Sequence, residues 1–225
     1  MAGSKDGLKP MNLDPARFAA FIAARLCHDI VSPAATMSLS LEMLDSPGSP
    51  EEKAHSERTL REGAQGVAAT LQFLRYAFGS MGLQPGTADA HQFKKLTDDY
   101  VRFQKPSIEW DLSTTELGYG HARLIMNLVL VGLTATVRGG VIHIRVREEG
   151  GVKNVVVTCK GDRVVLKEDV AKALAGEEPE SGWRPENIQP LFAKMTCDGL
   201  GGTLHAKTTQ DGVVFMATGL RQQTS

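Results

Sequence analysis

Apolar residues in the first third of the chain recur at intervals of three or four positions, which is the spacing of one helical face. We predict a helix that begins at Asp14-Pro15, where a carboxylate can cap the first turn and the missing N–H of proline costs nothing. The helix runs to about Asp45. Its buried stripe comprises Ile22, Leu26, Ile30, Pro33, Met37, Leu41 and Leu44.

A second helix is predicted from about Glu51 to Phe78, after the turn-forming segment 46–50. Its apolar positions alternate at intervals of four and three, as in a coiled-coil seam: Leu60, Ala64, Val67, Leu71, Leu74 and Phe78. Two such helices joined by a short loop form an antiparallel hairpin. One hairpin buries two continuous stripes poorly, whereas two hairpins can bury them in a four-helix bundle, so the pattern favours a homodimer. The alternative is that the second half of the same chain covers the hairpin.

The remainder of the chain mixes β-branched runs with further helices. The predicted strands are 107–112, 141–147, 152–159, 203–209 and 213–220, and the predicted helices are 91–103, 118–137 and 186–198. Helices segregated from an antiparallel or mixed sheet give an α/β sandwich. We therefore predict an α+β protein with a disordered N-terminus over 1–12, a helical hairpin that forms a dimeric four-helix bundle over 13–82, and a sandwich domain over 83–225.

Charge and cysteine content narrow the classes of partner. The formal net charge is −1, which gives no electrostatic reason to expect nucleic acid or an anionic membrane as a partner. The three cysteines are far apart and show no CxxC spacing, so neither a disulfide framework nor a zinc site is expected. The first ten residues lack the apolar centre of a signal peptide, and no apolar run approaches the length of a membrane span. We expect a soluble, cytoplasmic protein.

His28 lies on the side of the first helix that faces away from the apolar stripe. At about 100° per residue, the stripe centres about 50° from Ile22, whereas His28 falls about 240° from it. An exposed imidazole followed by Asp29, with Pro33 five positions further on, suits phosphoryl chemistry better than packing. The alternative is a solvated surface histidine without a role.

The neighbours of His28 on this face are suited to contact with another protein. Ala24, Ser32 and Ala35 are small and leave room for close approach. Phe21, Val31 and Leu39 are expected to be exposed and to form an apolar contact patch. A nucleophile that meets its partner on a second protein needs such a surface.

Three polar residues near His28 have expected roles in phosphoryl transfer. Asp29 can hold one ring nitrogen and raise the basicity of the other, although the helix directs adjacent side chains about 100° apart. Ser32, one turn on, can hydrogen-bond near the transferring phosphoryl group. Arg25 is expected to help hold receiver or phosphoryl oxygens.

The segment 28–33, His-Asp-Ile-Val-Ser-Pro, resembles the H-box of sensor histidine kinases, in which the phosphorylated histidine is followed by an acidic residue and, five positions on, by proline. The Leu-Cys-His-Asp run at 26–29 and the helix end at 73–79 are similar to the ChpT-type histidine phosphotransferases of alphaproteobacteria. The resemblance extends from about residue 14 through essentially the whole chain. It implies a second domain that looks like a kinase ATP-binding domain without its nucleotide site.

Three positions of the second domain depart from the kinase pattern that the resemblance provides. Segment 123–132 resembles the N-box helix, but the asparagine that would hold magnesium falls on Val131. The aspartate that would read adenine is replaced by Cys159, and an expected glycine by Arg163. Segment 186–190 stands where a glycine box would precede the last helix. Since a phosphate cradle needs small residues and magnesium needs oxygen ligands, we expect no use of ATP.

The resemblance implies a relay in which His28 takes a phosphoryl group from an aspartate on the receiver domain of a hybrid kinase. His28 then passes the group to aspartates on response regulators, which in such relatives control the cell cycle and virulence. No cofactor is expected in this chain, since the receiver would supply magnesium. Two alternatives remain open: an ATP-dependent histidine autokinase, and a non-enzymatic dimeric scaffold that binds receivers without accepting phosphate.

Overall fold

Helices α1 (Pro15–Asp45) and α2 (Pro50–Phe78) form the predicted hairpin. They belong to a computed structural model that describes residues 13–79 and 86–221. The bounds of both helices agree with the sequence prediction to within a residue. The predicted disordered segment 1–12 and the predicted domain boundary after residue 82 lie at least partly outside the described residues.

Local sequence signals explain where the two helices begin and how closely they approach. Asp14 caps α1 by accepting a hydrogen bond from the backbone N–H of Arg17, 3.2 Å away. Ser49 and Glu52 form a capping box at the start of α2, and its hydrogen bonds hold the pKa of Glu52 below its ordinary value. Further along α2, Gly63 allows close packing, because a Cβ there would lie 2.8 Å from Cγ of Met37.

The C-terminal part contains all the strands and helices predicted for it, plus three short elements that were not predicted. The strands are β1 (Thr87–Asp89), β2 (Ser107–Leu112), β3 (Glu116–Gly118), β4 (Val141–Glu149), β5 (Val152–Lys160), β6 (Thr203–Thr209) and β7 (Gly212–Leu220). The helices are α3 (Ala90–Val101), α4 (Tyr119–Ala135), α5 (Glu168–Leu174) and α6 (Pro185–Gly199). The short strands β1 and β3 and the helix α5 are the unpredicted ones.

A five-stranded mixed sheet in the order β2-β4-β5-β7-β6 forms one layer of the C-terminal domain. Strand β2 pairs parallel with β4, and the other neighbours pair antiparallel. Alternate residues of the three central strands are fully buried: Ile142, Ile144, Val146, Val155, Val157, Cys159, Val213, Phe215 and Ala217. Helix α4 packs on this apolar face with its own buried residues, so the predicted α/β sandwich is present.

The C-terminal domain packs against part of the helical hairpin. Leu26 and Ile30 of α1 contact the main core, and Phe18, Phe21 and Ile22 contact a second cluster that includes Trp183 and Leu191. Neither of these clusters includes an apolar residue of α1 beyond Ile30. The sandwich therefore covers the half of the hairpin that contains the start of α1 and the end of α2.

This packing corrects two sequence predictions. Phe21 was predicted to be exposed, but it is half-buried, because the cluster around Trp183 packs against it. Leu41 was predicted to lie in a buried stripe, but it is 49% exposed, because the C-terminal domain does not extend to that end of the hairpin. The helical wheel located both residues correctly around the helix axis but could not show which half of the hairpin the rest of the chain covers.

Helix α1 is also the one helix in the described part of the chain that could cross a membrane by length and composition. Such helices also occur in soluble proteins, where apolar residues face a protein core. Here Leu26 and Ile30 pack on the core, and Arg25 and Asp29 form an ion pair along the same helix. These contacts are typical of a helix packed against protein.

Helix α4 carries a buried histidine without a hydrogen bond in its first turn. His121 is 1% exposed, and neither ring nitrogen has a partner. The backbone of Leu220 lies near the ring, but not with hydrogen-bond geometry. Burial, assisted by the positive charge of Lys153, lowers the pKa of His121 to about 4. The folded protein therefore holds this ring in its neutral form at neutral pH.

We expect the folded state to lose stability as the pH falls from about 6.5 to about 4. In this range the unfolded chain binds a proton at His121, whereas the folded chain does not. The contribution is at most about 3.5 kcal/mol, since one pKa unit corresponds to about 1.4 kcal/mol. Urea unfolding of the wild type and of His121→Leu across this range measures it. The free energy of unfolding of the variant should depend less steeply on pH than that of the wild type. Equal slopes would contradict the assignment of this pH dependence to His121.

Candidate functional site

His28 projects from the middle of α1 into solvent, as the sequence predicts. Its side chain is 82% exposed, and its Nδ1 atom lies 3.2 Å from Oδ1 of Asp29. If Nδ1 carries the proton and donates a hydrogen bond to this carboxylate, Nε2 retains a free lone pair. The site thus presents one ring nitrogen that is held by the protein and one that is open to an incoming molecule.

Asp29 joins His28 to Arg25. Its second carboxylate oxygen accepts a hydrogen bond from Nε of Arg25 at 3.0 Å. The Asp29 side chain is only 14% exposed and that of Arg25 22%, so the pair lies largely under the surface on which the imidazole stands. Although consecutive helical residues diverge by about 100°, the Asp29 side chain bends back far enough to reach the ring.

The other predicted contact residues surround His28, with one exception. Ala24, Ser32 and Ala35 are exposed on the same helix face, and Val31 and Leu39 are 62% and 57% exposed. Exposed aliphatic side chains of this size provide apolar area for a partner. Phe21, as described above, is half-buried against the C-terminal domain and offers less area than predicted.

An open cavity of about 570 Å³ adjoins His28 and extends between the hairpin and the C-terminal domain. The hairpin contributes Arg25, His28, Asp29, Ser32, Pro33, Thr36, Thr59, Glu62, Gly63, Gly66 and Thr70. The C-terminal domain contributes Tyr100, Phe103, Gln104, Leu130, Leu133 and Thr134. Sequence reasoning missed this second group, because nothing in the local pattern indicates that residues about 70 to 100 positions away reach the histidine.

Two of the positions that depart from the kinase pattern, Val131 and Cys159, are filled by apolar packing, whereas Arg163 is exposed. Val131 and Cys159 are fully buried, and Gly132 lies so close that a Cβ there would be 3.0 Å from Sγ of Cys159. Burial raises the pKa of the Cys159 thiol to about 12, so it stays protonated. Among the described residues, no group of three or more histidine, cysteine or acidic side chains could hold a metal ion.

Asn127, in the segment that resembles an N-box, has a structural set of contacts. It is fully buried, and its amide nitrogen donates to the carbonyls of Ala77 at 2.8 Å and Arg123 at 2.9 Å. Its side-chain oxygen accepts from Nε2 of Gln189 at 3.2 Å. One side chain therefore joins the end of α2 to α4 and α6.

Arg123 makes a second connection at the same place. Its guanidinium donates to the carbonyls of Phe78, the last residue of α2, and Gly79, the residue that caps the helix, and lies 5.2 Å from the ring centre of Phe192. Arg123 is 5% exposed, and this burial lowers the pKa of its guanidinium. A positive charge at a helix C-terminus also interacts favourably with the helix dipole. Together with Asn127, it attaches the hairpin to the sandwich.

A family model described as the histidine phosphotransferase C-terminal domain matches residues 90–212, more than half of the chain. The chain belongs to the histidine phosphotransferase family. It is 28% identical over 211 residues to the protein phosphotransferase ChpT of Brucella abortus (strain 2308), covering 92% of this chain and 98% of that protein. The predicted ChpT-type resemblance is thereby confirmed.

A solved structure agrees with this assignment. The phosphotransferase resembles a solved bacterial phosphotransferase with a TM-score of 0.82 at 26% identity, over 92% of this chain and 98% of that one. The histidine kinase AdeS of Acinetobacter baumannii is a more distant match, with a TM-score of 0.47 at 15% identity over 88% and 98% of the two chains. The predicted α+β fold class is confirmed: N-terminal helices are followed by an α/β sandwich, in a phosphotransferase of the phosphorelay type.

Proposed function

We propose that His28 accepts a phosphoryl group from a phosphorylated aspartate on the receiver domain of a hybrid histidine kinase and passes it to aspartates on response regulators, in the cytoplasm. One observation carries the proposal: the imidazole is 82% exposed while Asp29 holds its Nδ1 atom. A histidine so placed is accessible to a protein-bound acyl phosphate, and the contact with Asp29 favours the tautomer with the proton on Nδ1, which leaves Nε2 free to attack.

The transfer step follows from the Asp29 contact. The Nε2 lone pair attacks phosphorus in line, the P–N bond forms, and the bond to the receiver carboxylate oxygen breaks, with the electron pair leaving on that carboxylate. The proton on Nδ1 stays in place, so the phosphorylated ring is cationic. The negative charge of Asp29, 3.2 Å from Nδ1, stabilises this cation. Transfer to a response regulator reverses the same step.

The receiver contacts the exposed face of α1 around His28. Ala24 and Ala35 allow its backbone to approach, Val31 and Leu39 provide apolar area, and Ser32 donates a hydrogen bond near the phosphoryl group. Arg25 acts mainly through Asp29, since its Nε atom is paired with that carboxylate. Magnesium is supplied by the receiver, and neither nucleic acid nor a membrane is a partner.

The phosphotransferase works without ATP in this proposal. The position that would bind magnesium is the buried Val131, and the amide of Asn127 is engaged by Ala77, Arg123 and Gln189. A titration with Mg-ATP should therefore give no saturable binding in the micromolar range. Micromolar affinity would instead favour an ATP-dependent autokinase.

The proposal is tested with receiver domains of the source organism that have been phosphorylated with radiolabelled acetyl phosphate. Mixing each with the phosphotransferase should move label to this chain within seconds to minutes for the true partners. The label should be acid-labile and base-stable, as a phosphoramidate is. Receiver binding without transfer of label would favour the scaffold alternative and overturn the proposal.

We also propose that the hairpin pairs with a second copy in a four-helix bundle. Leu41 of α1 and Leu71 of α2 belong to the two predicted apolar stripes, yet they are 49% and 48% exposed in the single chain. Each hairpin alone leaves its two apolar stripes partly exposed, and packing against the same stripes of a second hairpin would bury them.

Leu41→Glu combined with Leu71→Glu should convert a dimer to a monomer, because charges would replace apolar contacts in the bundle core. Light scattering after size-exclusion chromatography measures the mass. Leu39→Glu is the matched control, since Leu39 is equally exposed but lies on the His28 face: it should remain dimeric and accept phosphate more slowly. A wild-type protein that is monomeric at micromolar concentration would rule out this bundle.

A further inference from the structure

Four positively charged side chains without a carboxylate partner lie at one end of the sheet in the C-terminal domain. Lys105 precedes β2, Arg138 precedes β4, Lys160 ends β5, and Arg163 follows it. All four are exposed, and none of them forms an ion pair within the described part of the chain. Their charges are therefore available to another molecule.

The loops that carry these side chains contain little negative charge. They span 104–107, 136–140 and 160–165, and Asp162 is their one carboxylate. Asp211 lies in the adjoining turn between β6 and β7. Four cations against one or two carboxylates give this end of the domain a local positive charge, on a chain whose formal net charge is −1.

Sheet register and a close backbone contact bring the three loops together. Val141 pairs with Ser107 on one side and with Lys160 on the other. Beyond the strand ends, the backbones approach so closely that a Cβ on Gly161 would lie 2.8 Å from the carbonyl oxygen of Gly139. The four cations therefore belong to one surface and are not scattered around the domain.

Two aliphatic side chains are exposed among these cations. Val137 is 61% exposed and Val165 is 59% exposed. The backbone N–H of Val165 donates to the carbonyl of Ala135 at 3.1 Å, so the two valines lie on adjoining loops. The basic loop surface, as we call it, comprises Lys105, Val137, Arg138, Lys160, Arg163 and Val165. Apolar side chains surrounded by polar and charged ones are typical of protein interfaces.

The basic loop surface begins at the rim of the cavity beside His28. Gln104 lines this cavity and immediately precedes Lys105. Thr134 also lines it and lies four residues before Arg138. A protein that covers His28 and the C-terminal side of the cavity therefore comes next to these loops.

The hairpin side of the cavity offers little positive charge to such a protein. Arg25 is the one permanent cation among the hairpin residues that line it, and Arg25 is paired with Asp29. Glu62 adds a negative charge on the same side. A receiver brings a phosphoryl group and the carboxylates that hold its magnesium, so its surface near His28 is acidic. Charges that attract it have to come from outside the hairpin.

We propose that the basic loop surface contacts an acidic surface of the receiver domain that docks on His28. This inference rests on the proposed function of His28 and states the chemistry of its partner. A small domain is roughly 30 Å across, so a receiver with its phosphoaspartate at His28 can extend over the rim of the cavity to these loops. Exposed charges act mainly on the encounter of two proteins, so the contact speeds association and leaves the chemical step unchanged.

Arg138→Glu combined with Arg163→Glu tests this contact, because both side chains are exposed and their replacement should leave the fold intact. In the labelling assay, the receiver concentration for half-maximal rate should rise about 10-fold at low salt. The maximal rate at saturating receiver should stay within about twofold of the wild type, because His28 and its helix are unchanged.

Lys207→Glu combined with Arg221→Glu is the matched control, since both double variants change the net charge equally. Lys207 and Arg221 are also exposed and form no ion pair with the residues that the structure describes. Lys207 lies in β6, at the opposite edge of the sheet from β2, and Arg221 directly follows β7. The control should behave as the wild type. An equal rise in both double variants would mean that net charge alone is responsible, and would overturn the proposal.

Salt dependence shows whether the contact is electrostatic. Between about 0.1 M and about 1 M salt, the Debye length falls from about 10 Å to about 3 Å. The receiver concentration for half-maximal rate should therefore rise with salt in the wild type, and rise less steeply in the variant of Arg138 and Arg163. Parallel salt dependences would contradict a contact through these charges.

Equilibrium binding of the receiver to His28→Ala makes the test independent of phosphoryl transfer. Adding the substitutions at Arg138 and Arg163 should weaken this binding about 10-fold. If the wild type accepts no label, the relay role fails, whatever the affinities show. If the wild type accepts label but neither the half-maximal concentration nor the affinity responds to the substitutions, the contact alone is overturned. Wild-type binding to phosphatidylglycerol vesicles that the substitutions abolish, with receiver affinity unchanged, would assign the surface to a membrane and also overturn it.

Discussion

Replacing His28 with alanine should leave a folded protein that accepts no phosphoryl group. The nucleophile is lost altogether, so the rate of labelling by a phosphorylated receiver should fall by at least about 1,000-fold. The free energy of unfolding should change by less than about 0.5 kcal/mol, because the side chain is 82% exposed and Asp29 is its one hydrogen-bond partner among the described residues. Autoradiography after transfer and urea unfolding measure the two quantities.

His55→Ala is the matched control for this prediction. His55 is also exposed and also lies on the hairpin, in α2, but it is absent from the cavity beside His28. The control should retain wild-type labelling and stability. Labelling of His28→Ala at a comparable rate would show that another residue accepts the phosphoryl group, and unfolding of that variant would contradict the exposed position.

Asn127→Leu should lower the free energy of unfolding by about 3 kcal/mol. This is the second of the two largest effects that we expect. The amide is fully buried and exchanges hydrogen bonds with Ala77, Arg123 and Gln189. An apolar side chain of similar size would remove one hydrogen bond from the buried Ala77 carbonyl and one from the buried Gln189 amide. Each buried polar group that loses its partner costs about 1–3 kcal/mol. Chemical denaturation gives the difference, and phosphoryl transfer measured well below the melting temperature should persist.

Asn154→Ala provides a comparison for the Asn127 variant. Asn154 is half-buried and accepts one hydrogen bond, from the backbone N–H of Gly219 at 3.0 Å, so its replacement should cost about 1 kcal/mol. A loss below that value for Asn127→Leu would mean that its hydrogen bonds are not what attaches the hairpin to the sandwich. Arg123, which binds the neighbouring carbonyls of Phe78 and Gly79, would then be the main connection.

These two expected results assign different roles to the helical hairpin and to the C-terminal domain. In the proposed function His28 carries the chemistry on a surface that we expect to contribute little to stability, whereas we expect the hydrogen bonds of Asn127 to stabilise a segment that resembles a nucleotide-binding motif. The packing of Gly132 against Cys159 fills the same region with apolar atoms. The domain therefore serves as a support for the hairpin and, through Tyr100, as one wall of its site.

Much of the fold could be predicted because long helices and long strands carry their period in the sequence. The outward direction of His28 followed from the spacing of apolar residues, and the bounds of α1 and α2 followed from that spacing together with the capping and turn signals at the helix ends. Elements without a period could not be predicted: β1 and β3 have three residues each, and α5 has seven. So few residues contain too few repeats to distinguish a helix or strand from a loop.

The sequence by itself determined which residue we propose as the phosphoryl acceptor, since the outward direction of a histidine beside an aspartate on a helix requires only local geometry. Tertiary structure alone decided the burial of Phe21, the exposure of Leu41, and the placement of Tyr100 in the cavity that Asp29 also lines. Each of these depends on which half of the hairpin the sandwich covers. That arrangement results from contacts between residues about 50 or more positions apart, such as Asn127 with Ala77, and contacts at that distance leave no periodic trace in the chain.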